Sequence, residues 1–386
     1  MSGINLAYVE LNVADSWTVV GYYTRGLQFD QIAVADGPNR RSTLLRSNAA
    51  QIVITTPTAA HGEVADYLAR HGDGVADIAL TVADLDDAVT RAEAAGLEQL
   101  EPIHQAPDGS WIARVSGVGS VRHTLIRAAS DLPRRLPPRA RWTYEHTDGQ
   151  TAIPLPASHH VELARPQAID HLAWCLPQGE LETAVARYRD AFGLKIASSD
   201  QIVTGTSVAN TYVLTSGGTR EVTWVMAERD GTAQPGPGGH IDEFVAAHGA
   251  AGVQHIALRT NDILTALRED SRGGVDFLPA PPADYTRLPE RVKRLPQMRA
   301  RMQDLLAAGI LVDHDNEGGD GLLAQVFTHS PHQRGALFYA LIQREGAVGF
   351  STRIARALFE VHKSAGHAPA RRPATEQPTR RDPMDL

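Results

Sequence analysis

The sequence predicts an α+β fold in which four βαβββ modules pair into two open β-barrel halves. The first observation behind this prediction is an internal repeat, since Gly74-Val-Ala-Asp-Ile-Ala-Leu80 returns as Gly252-Val-Gln-His-Ile-Ala-Leu258. The second is the order of apolar patterns, because strand-like runs precede helix-like runs and short β-rich runs follow. Four strands cannot bury both faces alone, so paired modules that curl into a barrel are expected.

The first and third modules begin alike. A strand is predicted over 4–13 with a helix over 15–27, and another strand over 169–176 with a helix over 180–194. The later strands of the modules are predicted at 51–55, 120–127, 211–215, 222–226, 322–328 and 337–343.

The second and fourth modules begin at the repeat. Asp84 and Asp262 follow it at the same distance, each just before an apolar-periodic helix. An aspartate at this position predicts a helix N-cap, because its carboxylate can accept hydrogen bonds from the exposed backbone N–H groups of the first turn.

Length and composition set the domain organisation. The 386 residues exceed one ordinary core. We expect an N-terminal half over 1–150, a C-terminal half over 151–365 and a disordered Pro/Arg/Thr-rich tail over 366–386. The Pro/Arg-rich stretch 132–141 is interpreted as a linker or surface strap, and 284–311 as a partly helical insertion outside the last barrel module.

Charge and cysteine content exclude several classes of function. The net charge of -8 and the pI of about 6.0 argue against nucleic-acid or anionic-membrane partners. No apolar run reaches the ~18 residues of a membrane span, and no secretory signal is evident at the N-terminus. The single cysteine, Cys175, excludes a disulfide framework and fits a reducing compartment. We therefore expect a cytoplasmic protein, and the oligomeric state stays open, with a homodimer as one option.

Two histidines are the candidate metal ligands. His171 and His255 lie in the first strands of the third and fourth modules, so pairing of these modules is expected to bring them together. Two neutral imidazoles suit a divalent metal such as Fe(II), although half-buried histidines without a metal are the alternative for each taken alone. Their N-terminal counterparts are Tyr8 and Asp77, so the N-terminal half is interpreted as scaffold.

Several motifs carry a resemblance to a known family. They are Ile-Asp-His171, Gly-Val-Gln-His255-Ile-Ala-Leu, Val275-Asp-Phe-Leu-Pro279 with Tyr285, Leu311-Val-Asp313, Leu323-Ala-Gln325-Val-Phe327-Thr and Ile342-Gln-Arg with Gly349-Phe350. Over residues 4–362 the chain resembles the 4-hydroxyphenylpyruvate dioxygenase and hydroxymandelate synthase family of the vicinal oxygen chelate superfamily. The resemblance implies Fe(II) held by two histidines and a carboxylate, an arylpyruvate chelated through its 2-oxo acid, and O2 as co-substrate.

The resemblance assigns roles residue by residue. His171 and His255 match the two histidine ligands. Residues that would contact the substrate are Thr211, His240, Gln254, Gln325, Phe327 and Phe350.

The third metal ligand of the family is missing. Ala340, in Phe338-Tyr-Ala-Leu-Ile-Gln-Arg344, stands where the family has a glutamate. Glu345 would replace that carboxylate only after a register slip. Ala227, Ile354 and Ala355 also depart from the family pattern, so the substrate pocket has changed together with the metal site.

Three functions remain open from the sequence. The favoured one is an Fe(II)-dependent oxygenase acting on a small aromatic 2-oxo acid, in which water, substrate or chloride fills the vacant coordination position and hydroxylation or halogenation results. The second is a non-redox metalloenzyme with His240 as third ligand, unless His240 is a solvent-facing loop residue. The third is a non-catalytic protein that binds a small molecule in the barrel.

Overall fold

The computed structural model contains two large mixed β-sheets, one in each half of the chain. The structure describes residues 4–127, 136–144, 159–204, 207–217, 222–231, 239–278, 296–314, 321–334 and 336–364. The predicted tail over 366–386 and the motif residue Tyr285 lie outside the described residues.

The N-terminal half contains nine strands and three α-helices within the described residues. The strands are β1 (Asn5–Asn12), β2 (Asp30–Gly37), β3 (Arg40–Ser47), β4 (Ala50–Pro57), β5 (Gly74–Thr81), β6 (Gln99–Gln105), β7 (Trp111–Ser116), β8 (Arg122–Arg127) and β9 (Thr143–Tyr144). The helices are α1 (Ser16–Gly21), which continues into a π-helical turn (Tyr22–Gly26), α2 (Glu63–His71) and α3 (Leu85–Ala94).

The C-terminal half repeats this plan with additions. Its strands are β10 (Ala168–Leu176), β11 (Lys195–Thr204), β12 (Ser207–Thr215), β13 (Thr223–Arg229), β14 (Gly252–Arg259), β15 (Phe277–Leu278), β16 (Leu311–His314), β17 (Leu322–Thr328) and β18 (Phe338–Glu345). Its helices are α4 (His159–Ala164), α5 (Leu181–Phe192), α6 (His240–His248), α7 (Ile263–Arg272), α8 (Pro296–Ala307) and α9 (Thr352–Ser364).

Strand order confirms the predicted modules. The first sheet runs β6-β7-β8-β5-β1-β4-β3-β2-β9, and the second runs β11-β12-β13-β10-β14-β18-β17-β15 with β16 paired to β17. In each half, the first strands of the two modules pair antiparallel at the centre, β1 with β5 and β10 with β14. This is the four-module α+β arrangement that the sequence predicts.

The two central strand pairs share the same register. In the first, Tyr8 lies opposite Ala79; in the second, His171 lies opposite Ala257. The strand register also shifts at equivalent positions in both pairs, for example just before Tyr8 in the first and just before His171 in the second. The inward-facing positions of the two halves can therefore be compared one by one.

The predicted helix caps are confirmed. Asp84 accepts a hydrogen bond from the Asp87 backbone N–H at 3.0 Å, and Asp262 accepts one from the Thr265 N–H at 3.4 Å. Each carboxylate satisfies a donor that the first helical turn leaves without a partner.

The repeat lies where the two halves meet. The His248 ring packs so tightly against the repeat glycines that a Cβ on Gly252 would lie 2.7 Å from Nε2 and one on Gly74 would lie 3.1 Å from Cε1. His71, from the first copy of the His-Gly pair, places its ring 4.9 Å from that of His248 and its Nδ1 2.8 Å from the His248 carbonyl oxygen. The repeat therefore forms the joint between the halves, and the largest apolar cluster contains residues of both.

Two organisational predictions need correction. The stretch 132–141 is not only a surface strap, because within its described part Pro137 and Pro138 are buried and Arg139 reaches into the N-terminal barrel. Helix α8 begins at Pro296 in the described part of the insertion 284–311, and Met302 and Leu305 join the core rather than standing apart from it. None of the described helices is long and apolar enough to cross a membrane.

Candidate active site

Two buried histidines face each other inside the C-terminal barrel. His171 lies on β10 and His255 on β14, and their ring centroids are 5.5 Å apart with the planes at 79°. Both side chains are almost fully buried. The structure thus brings together the two residues predicted as metal ligands.

A carboxylate and a guanidinium support His171. His171 Nδ1 donates a hydrogen bond to Asp170 Oδ1 at 2.9 Å. Arg344 binds the same carboxylate through two hydrogen bonds, from Nε at 2.8 Å and from Nη2 at 2.9 Å, and its Nη1 donates to the Gly349 carbonyl at 2.7 Å. Because Nδ1 carries the hydrogen, Nε2 is left as the nitrogen with a lone pair for a metal.

The charges of this group follow from burial and pairing. Burial raises the pKa of Asp170, but the hydrogen bonds from His171 and Arg344 outweigh it and hold that pKa well below its usual value. Burial lowers the pKa of His171 despite the bond to Asp170. His171 is therefore neutral beside an ionised Asp170, which is the state that a metal ligand requires.

One cavity contains both histidines. Its volume is about 90 Å³. The predicted substrate-contacting residues all line it, namely Thr211, His240, Gln254, Gln325, Phe327 and Phe350. His240 is buried here at the start of α6, so its interpretation as a solvent-facing loop residue is wrong.

The polar lining is partly engaged within the protein. Thr211 Oγ1 donates to the Asp200 carbonyl at 3.0 Å, and Gln254 Nε2 donates to the His240 carbonyl at 3.3 Å. Cys175 also lines the cavity, and burial raises the pKa of its thiol far above the usual value. The cysteine therefore stays protonated, as expected for a packing residue rather than a thiolate ligand.

Aromatic rings surround the two imidazoles. Phe338 stacks on His255 with centroids 5.0 Å apart, and Phe327 approaches the same ring edge-on at 5.8 Å. Phe350 packs edge-on against His171, with the ring centroids 4.9 Å apart. The Arg344 guanidinium lies over the Phe350 ring, 5.0 Å from its centroid. This arrangement gives the polar pair an apolar enclosure.

Comparisons with known proteins identify the family. The family model described as Glyoxalase/Bleomycin resistance protein/Dioxygenase superfamily matches residues 5–116 and 168–288. The 4-hydroxyphenylpyruvate dioxygenase of Caenorhabditis elegans is 30% identical over 306 residues, which is 78% of this chain and 75% of the relative.

The chain belongs to the 4-hydroxyphenylpyruvate dioxygenase family. The Dictyostelium discoideum enzyme of that name is 26% identical over 366 residues, covering 92% of this chain and 95% of the relative. A solved triple mutant of 4-hydroxymandelate synthase from Streptomyces coelicolor superposes with a TM-score of 0.79 at 36% identity, covering 95% of this chain and 99% of that one. Fold and sequence thus agree on an oxygenase-type oxidoreductase with the vicinal oxygen chelate fold.

Ala340, the residue expected at the third ligand position, is fully buried on β18. Ala340 on β18 lies directly opposite Ala257 on β14, which in turn lies opposite His171 on β10. Two strand spacings separate Ala340 from His171 by roughly 10 Å along the sheet, and curvature shortens this distance across the barrel. Within the described residues, no group of three or more His, Cys, Asp or Glu side chains could hold a metal.

A larger cleft of about 560 Å³ lies beside the cavity, between the two halves. Leu6 and Gln51 line it from the N-terminal half, and Asp170 and Arg259 line it from the C-terminal half. Phe350 lines both spaces, so this side chain stands between the cleft and the two histidines.

Sequence reasoning missed the roles of Asp170 and Arg344. Adjacent residues on a regular strand point to opposite faces, so Asp170 was not expected beside the ring of His171. The irregularity between Ile169 and His171 changes this geometry. Asp170 belongs to the Ile-Asp-His171 motif, but the alternation of side chains along a regular strand does not predict its hydrogen bond with His171.

Proposed function

We propose that this protein is an Fe(II)-dependent oxygenase that acts on an arylpyruvate-like 2-oxo acid through a two-histidine site. The observation that carries the proposal is the facing of His171 and His255 in one cavity with an aromatic lining. The names of the relatives support the reaction class. The expected products are CO2 and an aromatic acid hydroxylated on the ring or the benzylic carbon.

The donor set fits a metal with two protein ligands. Two neutral imidazoles suit Fe(II), and a 2-oxo acid offers the oxygen donors that would complete its coordination. When bound, Fe(II) would supply the anchoring of the 2-oxo acid and the activation of O2. Asp170 would keep His171 in one tautomer and orientation, as carboxylates commonly do for metal-bound histidines.

The remaining lining residues would position the substrate. The amides of Gln254 and Gln325, with Thr211 and His240, would bind its polar ends. Phe327 and Phe350 would hold its ring. These contacts fix the orientation of the reacting carbon, which is the main contribution that a rigid pocket can make.

Entry of the substrate requires one wall to move. A cavity of about 90 Å³ is small beside the ~300 Å³ or more typical of pockets for drug-sized ligands. Phe350 is half-buried and shared with the outer cleft, so rotation of its ring would join the two spaces.

An exogenous ligand would complete the coordination, because Ala340 offers no carboxylate. Loss of the carboxylate removes one negative charge from the site, which favours an anion such as chloride. Halogenation balances if one atom of O2 enters the product carboxylate and the other leaves as water, while chloride and a proton are consumed with loss of CO2. Hydroxylation instead places the second oxygen atom on the carbon.

A second candidate is a non-redox metalloenzyme with three histidine ligands. The burial of His240 in the same cavity favours it. Within the described residues the three histidines do not form a group that could hold a metal, so His240 would have to move to supply the third nitrogen. His240→Ala separates the two candidates, because it should greatly weaken metal binding only if His240 is a ligand.

The decisive experiment is an anaerobic titration with Fe(II) and an arylpyruvate, with and without chloride. A visible charge-transfer band would support the metal and the substrate class together, and a shift with chloride would favour halogenation. Stoichiometric iron without any band would contradict an arylpyruvate substrate. No iron binding at all would favour a non-catalytic small-molecule-binding protein.

A further inference from the structure

The N-terminal barrel contains a charged cluster at the positions that form the candidate metal site in the other half. By the shared register, Tyr8 is equivalent to His171 and Asp77 to His255. Glu10 lies directly opposite Asp77 on the neighbouring strand. All three N-terminal side chains are buried, so two carboxylates face the interior of this barrel.

The guanidinium of Arg139 lies among these carboxylates. Its Nη2 donates to Glu101 Oε1 at 3.0 Å, while Nη1 lies 3.8 Å from Asp77 Oδ2 and 4.0 Å from Glu10 Oε2. The side chain of Arg139 is only 12% exposed. One cation therefore faces three acids on three different strands.

Neighbouring groups complete the cluster. Asp77 accepts hydrogen bonds from the Thr124 backbone N–H at 3.0 Å and the Thr124 hydroxyl at 2.8 Å. Thr55 Oγ1 donates to Glu10 at 2.6 Å. Two further arginines, Arg114 and Arg122, pair at the rim with Glu63, and Arg114 also pairs with Glu101. The acids outnumber the arginines, four against three, even with Arg139 in place.

The segment that brings Arg139 to this position is anchored on both sides. We call residues 136–144 the strap. Leu136 and Trp142 pack against the apolar cluster of the inner face, and Trp142 Nε1 donates to the Pro137 carbonyl at 2.6 Å. Strand β9 at the end of the strap pairs with β2. These contacts hold Arg139 beside Glu10, Asp77 and Glu101.

We propose that the inner face of the N-terminal half is a guanidinium-binding site whose ligand is Arg139 of the same chain. Planar, bidentate donors suit carboxylates, and arginine keeps its charge when buried, which makes guanidinium the appropriate ligand class. The half without the two histidines is thus closed by its own strap, with a cation at the place equivalent to the candidate metal site. The proposal is independent of the reaction catalysed by the other half.

The protonation of the cluster agrees with this assignment. Burial lowers the pKa of Arg139, but attraction to Asp77 and Glu10 outweighs it and leaves that pKa above its usual value. Burial, with a contribution from Glu10, raises the pKa of Asp77 to about 6 despite the nearby arginine. Without the cation, the carboxylates would lack their compensating charge.

Chemical rescue tests the proposal on the full-length protein. Arg139→Ala should lower the melting temperature by roughly 5–10 °C, because it leaves buried carboxylates uncompensated. Millimolar methylguanidinium should restore most of this loss, while equal methylammonium or urea should restore much less. Arg141→Ala is the matched control in the same strap, since Arg141 is exposed and should melt like the wild type with no response to methylguanidinium.

Other results would overturn the assignment. A melting temperature of Arg139→Ala equal to that of the wild type would contradict it, as would an equal response of both proteins to methylguanidinium. If Arg139→Ala does not fold, Arg139→Gln is used in the same titration. Adding Glu101→Gln should reduce the rescue, because Glu101 makes the shortest contact; unchanged rescue in that double variant would also count against the site.

Discussion

The two halves of this molecule share a fold and differ in what their barrels contain. Both pair their modules through central strands of the same register and with equivalent irregularities. The C-terminal barrel contains His171 and His255 in an aromatic cavity, whereas the N-terminal barrel contains carboxylates around Arg139. The backbone therefore fixes where inward side chains meet, and a few side-chain differences decide the chemistry there.

Each interior solves the same physical problem in a different way. Buried polar groups must find partners, because an unpaired charge in a barrel is costly. In the C-terminal half Asp170 and Arg344 orient a neutral histidine, and in the N-terminal half Arg139 compensates the acids directly. Only the first solution presents two imidazole rings to an incoming metal.

Removal of either histidine should have the largest effect, which is the loss of Fe(II) binding by the C-terminal half. His171→Ala or His255→Ala should abolish Fe(II) binding, because one imidazole and no carboxylate remain. The N-terminal half should stay folded. Bound iron measured by mass spectrometry after anaerobic loading checks the prediction, and Tyr8→Phe at the position equivalent to His171 is the control. Undiminished iron in both alanine variants would exclude the site.

Acid should weaken the joint that the halves share. Burial, with the neighbouring His71, lowers the pKa of His248 from 6.5 to about 4. The unfolded chain therefore binds the proton more readily, and this contribution to stability is present above pH 6.5 and is lost as the pH falls towards 4, at most about 3 kcal/mol.

The measurement is the free energy of unfolding by urea between pH 4 and 7. His248→Asn should flatten the profile relative to the wild type in this window. His123 also has a pKa lowered by burial to about 4, so a residual slope of the same sign is expected in the variant. Parallel profiles for both proteins would contradict a role for His248.

Loss of the carboxylate behind His171 should have an intermediate effect. Asp170→Asn should weaken Fe(II) binding by about 10–100-fold, the range found when partners of metal-bound histidines are removed. The N-terminal barrel has Ala7 at the equivalent position, so this support belongs to the C-terminal half only. Calorimetric or dye-competition titration of Fe(II) measures it, with the exposed Asp190→Asn as control. Equal affinities would show that Asp170 does not position the ligand.

Placing a carboxylate at position 340 should have the smallest effect on metal binding. Ala340→Glu should tighten Fe(II) binding by at least tenfold, or about 1.4 kcal/mol, although crowding beside Ala257 and Phe327 offsets part of the gain. Ala340→Gln has the same size without the charge and separates the two contributions. If the glutamate variant binds no more tightly than the glutamine variant, Ala340 does not occupy the third ligand position.

Much of the candidate site could be predicted, because the internal repeat allows each C-terminal residue to be compared with its counterpart in the N-terminal half. The equivalence of His171 and His255 follows from their places in successive modules, and the six residues expected to contact the substrate, which all line the cavity, come from a resemblance carried by several motifs. The contact of Asp170 with His171 could not be predicted, because a strand irregularity alters the alternation of side chains. Arg139 could not be placed either, since a Pro/Arg-rich stretch is typical of a solvated linker.

The sequence by itself determined the α+β class, the four modules, the helix caps at Asp84 and Asp262 and the two inward histidines. These features depend on periodicity and on local hydrogen bonding, which act over a few residues. Only the tertiary structure decided which distant groups meet, such as Arg344 with Asp170, Arg139 with Asp77, and His71 with His248. Contacts of this kind depend on strand register and on the packing of the halves, and no local pattern encodes them.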